Sequence, residues 1–329
     1  MGQLRQHFFG KEGRKHMQKT ILQFVSIVAY VHNNADRIET FISSAVGACD
    51  IFMRREVIFV DDCSTDNSVD VIKEYYQKNP ADYIVTIIRM GRYHGMEMAM
   101  NAGRDMAIGD YVYEFDDLFI DFEEKVIIDA FNKCLEGNDI VTVSTDVPMR
   151  LTSKIFYAVF NHATETDSKI GQESFRLLSR RGINRIISMD VEIPYRKMIY
   201  LNSGLPSANL KYISTEGYRP ARISGKNERV DLAIDSFIYF TKIIQHFSFV
   251  LSCLFAILAL VTIIYTFVSR GMGYHVGAGW VSTMIFMSLG FTGVFGFLAI
   301  IIRYLSVLVD LVFKRQKYLI AEVEKISSK

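Results

Sequence analysis

The sequence predicts an α/β fold with a mostly parallel sheet, followed by an amphipathic helix and two transmembrane helices. Short β-branched runs alternate with helical patterns between residues 21 and 225, and two long uncharged apolar runs follow them. Alternating strands and helices favour a parallel sheet covered by helices on both faces. Of the 329 residues, 50% are hydrophobic and 22% are charged, which is too apolar for a wholly soluble chain.

Hydrophobic periodicity predicts the elements of the first part of the chain. Strands are expected over residues 21–30, 56–60, 83–89, 111–115 and 139–143. Helices are expected over residues 35–48, 66–77, 96–107 and 122–135. Ligands of parallel sheets bind at the carboxyl ends of the strands, so the residues that directly follow each strand form the candidate site.

Two aspartates, Asp61 and Asp62, follow the second predicted strand. A pair of carboxylates at a strand end is unfavourable unless polar groups bind it. Ribose hydroxyls and the N–H of a base are suitable donors, whereas a bare phosphate is not. The alternative is that the two carboxylates only cap the next helix and shape the turn.

Four acids follow the fourth predicted strand within eight residues, namely Glu114, Asp116, Asp117 and Asp121. Clustered carboxylate oxygens suit Mg²⁺ or Mn²⁺ that carries a substrate diphosphate. The alternative is a solvated loop that happens to be acidic. Acids at two strand ends of one sheet favour the metal site.

The two apolar runs are predicted to form a transmembrane hairpin over residues 247–302. Residues 247–268 and 278–302 are uncharged runs of 22 and 25 residues, whereas ~20 residues suffice to cross the hydrocarbon core. A buried hairpin in a large soluble core is the alternative. Lysines and arginines flank the hairpin on both sides, which indicates that both flanks are cytoplasmic.

We therefore expect an integral protein of the inner, cytoplasmic membrane whose large N-terminal region and C-terminus face the cytoplasm. The predicted segments are a basic tail (1–20), an α/β domain (21–229), an amphipathic juxtamembrane helix (230–246), the hairpin (247–302) and a cytoplasmic tail (303–329). The formal net charge of +1 argues against nucleic-acid binding, because no basic field neutralises phosphates. The four cysteines are scattered, which argues against a disulfide framework or a zinc site.

Seven stretches, in this order, resemble glycosyltransferase family 2: residues 26–33, 60–66, 92–95, 109–110, 150–154, 174–181 and 219–225. The resemblance is greatest to the polyprenol-phosphate branch, which includes dolichol-phosphate mannose synthase and bactoprenol glucosyltransferases. It implies a GT-A-type (Rossmann-like) nucleotide-sugar-binding domain. The implied reaction passes one sugar, with inversion, from a nucleotide sugar such as a UDP-hexose to a polyprenyl phosphate such as undecaprenyl phosphate.

The resemblance also implies roles for particular residues. The nucleotide sugar would contact Asp61, Asp62, Arg92, Gly95 and Glu114. The catalytic set would be Asp116, Glu173 and Arg176, with Mg²⁺ or Mn²⁺ held by Glu114, Asp116 and Asp117. The lipid phosphate would meet Lys154, Arg219 and Arg222. A homo-oligomer, with a tetramer as the expected form, is implied as well.

The sequence departs from the family pattern at the metal motif. Counted without gaps from Gly109, the second acid of the Asp-x-Asp motif falls on Leu118, whereas a shift of two gives Glu114 and Asp116. Asp116 is retained in either alignment. Leu118 favours the alternative of a catalytically inactive membrane scaffold that keeps the fold, and a glycosyltransferase with another glycan acceptor is a further alternative.

Overall fold

An eight-stranded sheet organises the chain in the computed structural model. The structure describes residues 21–147, 173–189, 196–215, 279–313 and 318–326, together with scattered residues between 250 and 272. The strands are β1 (Ile21–Val31), β2 (Phe52–Asp61), β3 (Ile84–Met90), β4 (Tyr111–Phe115), β5 (Ile140–Thr145), β6 (Phe175–Ser179), β7 (Ser207–Tyr212) and β8 (Ile320–Ile326). Their order across the sheet is β7-β5-β6-β4-β1-β2-β3-β8.

The sheet is mostly parallel, as the sequence predicts. The central pairs β4–β1, β1–β2 and β2–β3 are parallel, and so is β5–β7. The strands β6 and β8 pair antiparallel with their neighbours. The α/β class is therefore confirmed, with antiparallel additions on both sides of the parallel centre.

Seven α-helices are described. They are α1 (Ile38–Phe41), α2 (Ser68–Lys78), α3 (Met96–Met106), α4 (Lys125–Leu135), α5 (Arg180–Ser188), α6 (Arg196–Leu201) and α7 (Gly279–Phe313). The helix predicted over 35–48 is shorter than expected, because α1 passes into a π-helical turn, Ile42–Val46. Ser43 donates its hydroxyl to the carbonyl of Thr40, a local bond that competes with regular helical pairing.

Successive side chains of β1 point to opposite faces of the sheet, and those on each face are buried against the helices that cover it. Val25, Ile27 and Ala29 belong to the core shared with α1, α2 and α4. Val28 and Tyr30 belong to the core shared with α3, α5 and α6. The site described below lies where the parallel strands of this doubly covered sheet end.

Two parts of the predicted C-terminal tail, 303–329, form regular secondary structure. Helix α7 continues to Phe313, and Ile320–Ile326 forms β8 on the edge of the sheet beside β3. Ion pairs from Lys73 to Glu324 and from Arg89 to Glu322 accompany this pairing, at 2.5 and 3.5 Å. The sequence alone did not indicate the strand, because its partner lies in a distant part of the chain.

The membrane predictions are only partly covered by the described residues. The basic tail (1–20) and the amphipathic helix (230–246) lie outside them, and so does most of the first predicted span, 247–268. All but the first residue of the second predicted span, 278–302, lies in α7. In the described part of the chain, no helix reaches the combined length and hydropathy of a membrane span.

Candidate active site

The two acidic strand ends lie on either side of β1. The last residue of β1, Val31, pairs with Asp61 at the end of β2, and Ala29 pairs with Phe115 at the end of β4. Asp62 and Asp116 directly follow these two strands. The prediction that both acidic groups meet one edge of the sheet is therefore confirmed.

Asp62 holds the loop that follows β3. Its Oδ1 accepts the backbone N–H of His94 at 2.9 Å, and its Oδ2 accepts the N–H of Gly95 at 2.8 Å and the hydroxyl of Tyr30 at 3.1 Å. Gly95 has a φ of +81°, a conformation that favours glycine. Burial raises the pKa of Asp62, and these hydrogen bonds oppose the rise. Asp62 thus shapes the predicted nucleotide loop, rather than presenting an open carboxylate.

Asp61 and the first loop form the neighbouring wall. Asp61 Oδ1 accepts the backbone N–H of Ser64 at 3.1 Å. The ring of His32 lies 4.9 Å from the ring of Tyr93, between centroids. Arg92, the other predicted nucleotide ligand of this region, is exposed. The structure thus brings Asp61, Asp62 and Gly95 to one strand end and adds an aromatic pair that the sequence analysis did not assign.

We expect Asp62→Asn to lower the free energy of unfolding by about 1–3 kcal/mol, because an amide nitrogen would face a buried N–H donor. The matched control is Asp61→Asn, because Asp61 accepts the backbone N–H of Ser64 in the loop after β2 and not that of the loop after β3; this variant is expected to cost less than about 1 kcal/mol. Urea denaturation of both variants measures the difference. Equal losses would show that Asp62 does not hold the loop as described.

Two arginines lie beside the end of β4. Arg176 belongs to β6, where it pairs in register with Glu114 of β4. Arg196 begins α6, and its backbone N–H and Nε both donate to Glu97 of α3, at 3.0 and 2.9 Å. The side chains of Arg176 and Arg196 are 1% and 0% exposed. Buried guanidinium groups require counter-charges, which β4 supplies.

Asp116 and Glu114 bind both arginines. Asp116 accepts one bond on each oxygen, from Arg176 at 2.9 Å and from Arg196 at 2.6 Å. Glu114 Oε2 accepts from Arg176 at 3.2 Å, from Arg196 at 3.0 Å and from the hydroxyl of Tyr200 at 2.8 Å. Glu173 accepts two further bonds from Arg176. We name this group the arginine–carboxylate cluster: Glu97, Glu114, Asp116, Glu173, Arg176, Arg196 and Tyr200.

Asp116 and the two arginines keep their charges at neutral pH. Burial alone would raise the pKa of Asp116, but the guanidinium groups of Arg176 and Arg196 hold that pKa below its ordinary value. Burial would lower the pKa of both arginines, but Asp116 and the neighbouring glutamates raise it well above its ordinary value. Asp116 is therefore ionised and both arginines are protonated, so Asp116 lies between two positive charges.

Sequence analysis missed Glu97, Arg196 and Tyr200. Arg196 and Tyr200 are four residues apart, a spacing that puts both side chains on one helix face. No motif connected this face with Asp116, which is 80 residues from Arg196 along the chain. The predicted catalytic residues Asp116, Glu173 and Arg176 are brought together, whereas Lys154, Arg219 and Arg222 lie outside the described residues.

A comparison with protein families identifies the domain that carries these strand ends. Residues 26–185 match the family model described as glycosyl transferase family 2. This segment, just under half of the chain, is similar to glycosyl transferase family 2. The match runs from β1 into α5, so it includes both acidic strand ends of the family 2 domain and Arg176. It ends before Arg196, which is therefore a feature of this chain outside the matched segment.

The curated relatives match this chain over only part of their own length. An uncharacterized glycosyltransferase from Synechocystis sp. is 27% identical over 183 residues, which cover 54% of this chain and 56% of the relative. An undecaprenyl-phosphate 4-deoxy-4-formamido-L-arabinose transferase from Edwardsiella ictaluri is 34% identical over 99 residues, or 30% of each chain. The chain thus spans about half, or less, of the length of these relatives.

Solved structures with a similar fold share little sequence identity with this protein. A mannosyltransferase from Pyrobaculum calidifontis, in complex with GDP-Man and Mn²⁺, is 14% identical with a TM-score of 0.48, and the match covers 91% of this chain and 89% of that one. A glucosyl-3-phosphoglycerate synthase from Mycobacterium tuberculosis, with Mn²⁺, UDP-glucose and phosphoglyceric acid, is 14% identical with a TM-score of 0.45. That match covers 66% of this chain and 78% of the synthase.

The predicted metal ligands of the family 2 domain do not fit a divalent cation. Asp116 and Glu114 bind the two buried arginines, and Asp117 binds Arg37 at 2.9 Å. Leu118, which takes the position of the second acid in the alignment without gaps, is 1% exposed and packs in the core. Over the described ranges, no three His, Cys, Asp or Glu side chains are grouped so that they could hold a metal ion.

Proposed function

We propose that this chain is an inverting glycosyltransferase that moves one sugar from a nucleotide sugar to a membrane polyprenyl phosphate. The observation that carries the proposal is the meeting of two acidic strand ends of a segment similar to family 2 with two buried arginines, Arg176 inside that segment and Arg196 beyond it. Carboxyl ends of parallel strands are where α/β domains bind nucleotides. A UDP-hexose is the donor that we propose to test first.

The nucleoside would bind at the end of β2. Asp61 offers carboxylate oxygens to ribose hydroxyls or a base N–H. The ring of Tyr93, which is 42% exposed and lies beside His32, offers a surface on which a base can stack. The loop after β3, which Asp62 holds through the backbone N–H of Gly95, also lies at the end of β2. These features support a nucleotide donor without specifying the sugar.

A lipid acceptor is supported by the apolar surface of α7 and by the relatives. The exposed side chains of α7 include Leu289 at 50% and Phe291 at 55%. Two residues along a helix point about 200° apart, so apolar groups are exposed on opposite sides. Several relatives are named as undecaprenyl-phosphate transferases. We propose an inner-membrane protein with the domain and C-terminus in the cytoplasm, and its oligomeric state stays a prediction.

The proposed transfer reaction requires few catalytic groups from the protein. A lipid phosphate is already anionic at neutral pH, so no strong general base is needed to activate it. Its oxygen forms a bond to the anomeric carbon while the bond from that carbon to the diphosphate breaks, and the electron pair leaves with the nucleoside diphosphate. Attack from the opposite side inverts the configuration. Arg176 and Arg196 would fix the geometry of the strand end at which the departing diphosphate would lie.

The proposal is tested with full-length protein in detergent. Radiolabelled UDP-glucose, UDP-N-acetylglucosamine and GDP-mannose are each incubated with undecaprenyl phosphate, with and without Mn²⁺, and label in the organic phase is counted. We expect one donor to give a lipid-linked product. Undecaprenol without its phosphate is the control and should give none.

A noncatalytic scaffold is the second candidate, favoured by Leu118 and by the paired carboxylates of the arginine–carboxylate cluster. It predicts nucleotide binding without transfer from any donor. Label transferred to another glycan, but not to the lipid phosphate, would instead overturn the acceptor.

A further inference from the structure

The carboxylates at the end of β4 are already bound by cations that belong to the chain. Asp116 has one guanidinium bond on each oxygen, at 2.9 and 2.6 Å. Glu114 is fully buried and accepts bonds from the same two arginines. A divalent cation needs the oxygen atoms that these bonds occupy.

Arg196 is held in this position by more than its bonds to β4. Its backbone N–H and its Nε both donate to Glu97 Oε2, so the start of α6 and the side chain are fixed by one carboxylate of α3. Its Nη1 and Nη2 then reach Glu114 and Asp116. The side chain is 0% exposed. Displacing it would leave a guanidinium buried without its partners, which is strongly unfavourable.

A metal could join the cluster only by replacing the hydrogen bonds of the arginines. Guanidinium groups do not lose their proton in proteins, and Arg176 and Arg196 both donate to Asp116 and to Glu114. A divalent ion that took these oxygens would leave the two guanidinium groups buried without those partners, which is unfavourable. The buried Leu118 offers no further oxygen on the following turn.

We propose that Arg176 and Arg196 occupy the oxygens of Asp116 and Glu114 to which a divalent cation would bind, so that no metal binds at the end of β4 and nucleotide binding here needs none. This inference rests on the proposed function for its nucleotide part, whereas the exclusion of the metal stands on the cluster alone. It assigns Arg196 the role of closing these carboxylates to a cation.

The first measurement titrates Mn²⁺ alone into full-length wild-type protein by calorimetry and by Mn²⁺ paramagnetic resonance. We expect binding no tighter than about 1 mM, because the carboxylate oxygens are occupied. Tight binding that disappears in Asp116→Asn would overturn the proposal. Tight binding that persists in Asp116→Asn would lie elsewhere and leave the proposal standing.

The second measurement uses Arg196→Gln, which uncovers oxygens of Asp116 and Glu114, with Arg196→Lys as the control that keeps the charge. We expect Mn²⁺ affinity to rise about tenfold or more in the glutamine variant and not in the lysine variant. A folded Arg196→Gln protein that binds Mn²⁺ no better than wild type would refute the role of Arg196. If the glutamine variant fails to fold, the wild-type titration decides.

The third measurement compares UDP and GDP binding in EDTA and in Mn²⁺. We expect equal dissociation constants for wild type, and a tenfold or greater loss in EDTA, on the order of 1.4 kcal/mol, would overturn the proposal. If neither nucleotide binds in either buffer, the proposed function fails, whereas the Mn²⁺ titration still decides the nature of the cluster.

Discussion

Glu114→Gln is expected to lower the free energy of unfolding by about 3–5 kcal/mol, because it removes one partner from a buried set of ion pairs. Glu114 is fully buried and accepts hydrogen bonds from Arg176, Arg196 and Tyr200. The neutral amide keeps the size of the side chain but leaves two guanidinium groups short of negative charge. Denaturation in guanidinium chloride, followed by circular dichroism, measures the loss.

The matched control is Glu74→Gln on α2. Glu74 pairs with Lys78 at 3.5 Å, and its side chain is 65% exposed, so we expect a change below about 0.5 kcal/mol. A loss at Glu114 as small as that at Glu74 would mean that solvent reaches the arginine–carboxylate cluster. That result would also remove the basis for excluding a metal ion from it.

Arg176→Lys is expected to lower kcat/KM in the lipid-transfer assay by about 10²-fold, the order of the cost of a small misplacement in a catalytic site. Arg176 donates to Glu114, Asp116 and Glu173 through three different nitrogens. A lysine ammonium is a point charge that cannot reproduce this fork. The positive charge would remain, but the strand end at which we propose the diphosphate to lie would lose its fixed geometry.

The control for Arg176→Lys is Arg181→Lys on α5. Arg181 pairs with Asp139, and its side chain is 67% exposed, so its activity should stay within about twofold of wild type. Both variants are assayed below their melting temperatures. If Arg176→Lys loses stability but keeps kcat, Arg176 only supports the fold.

The sequence predicted the parts of the site that local patterns determine. Periodicity located the central strands, and the rule that parallel strands end together brought Asp61, Asp62 and Asp116 to one edge. The end of β4 was predicted to the residue. These inferences need only short segments and one general property of parallel sheets.

The parts that sequence patterns could not supply depend on distant contacts. The metal ligands were predicted because acids cluster in the sequence, whereas the guanidinium groups that bind Asp116 in the structure come from β6 and α6, 60 and 80 residues away. Burial then decided the outcome, since a buried carboxylate takes the nearest fixed positive charge. No spacing rule connects Arg196 with β4, so its role could be found only from the folded chain.

The pairing of β8 with β3 affects how the protein is made. His94, just after β3, receives a bond from the backbone of Leu319, 225 residues later. During translation, the outer edge of β3 therefore stays unpaired until Ile320–Ile326 has left the ribosome. An unpaired edge is prone to intermolecular pairing, so slow elongation or early termination in this interval should promote aggregation and chaperone capture of the nascent polypeptide.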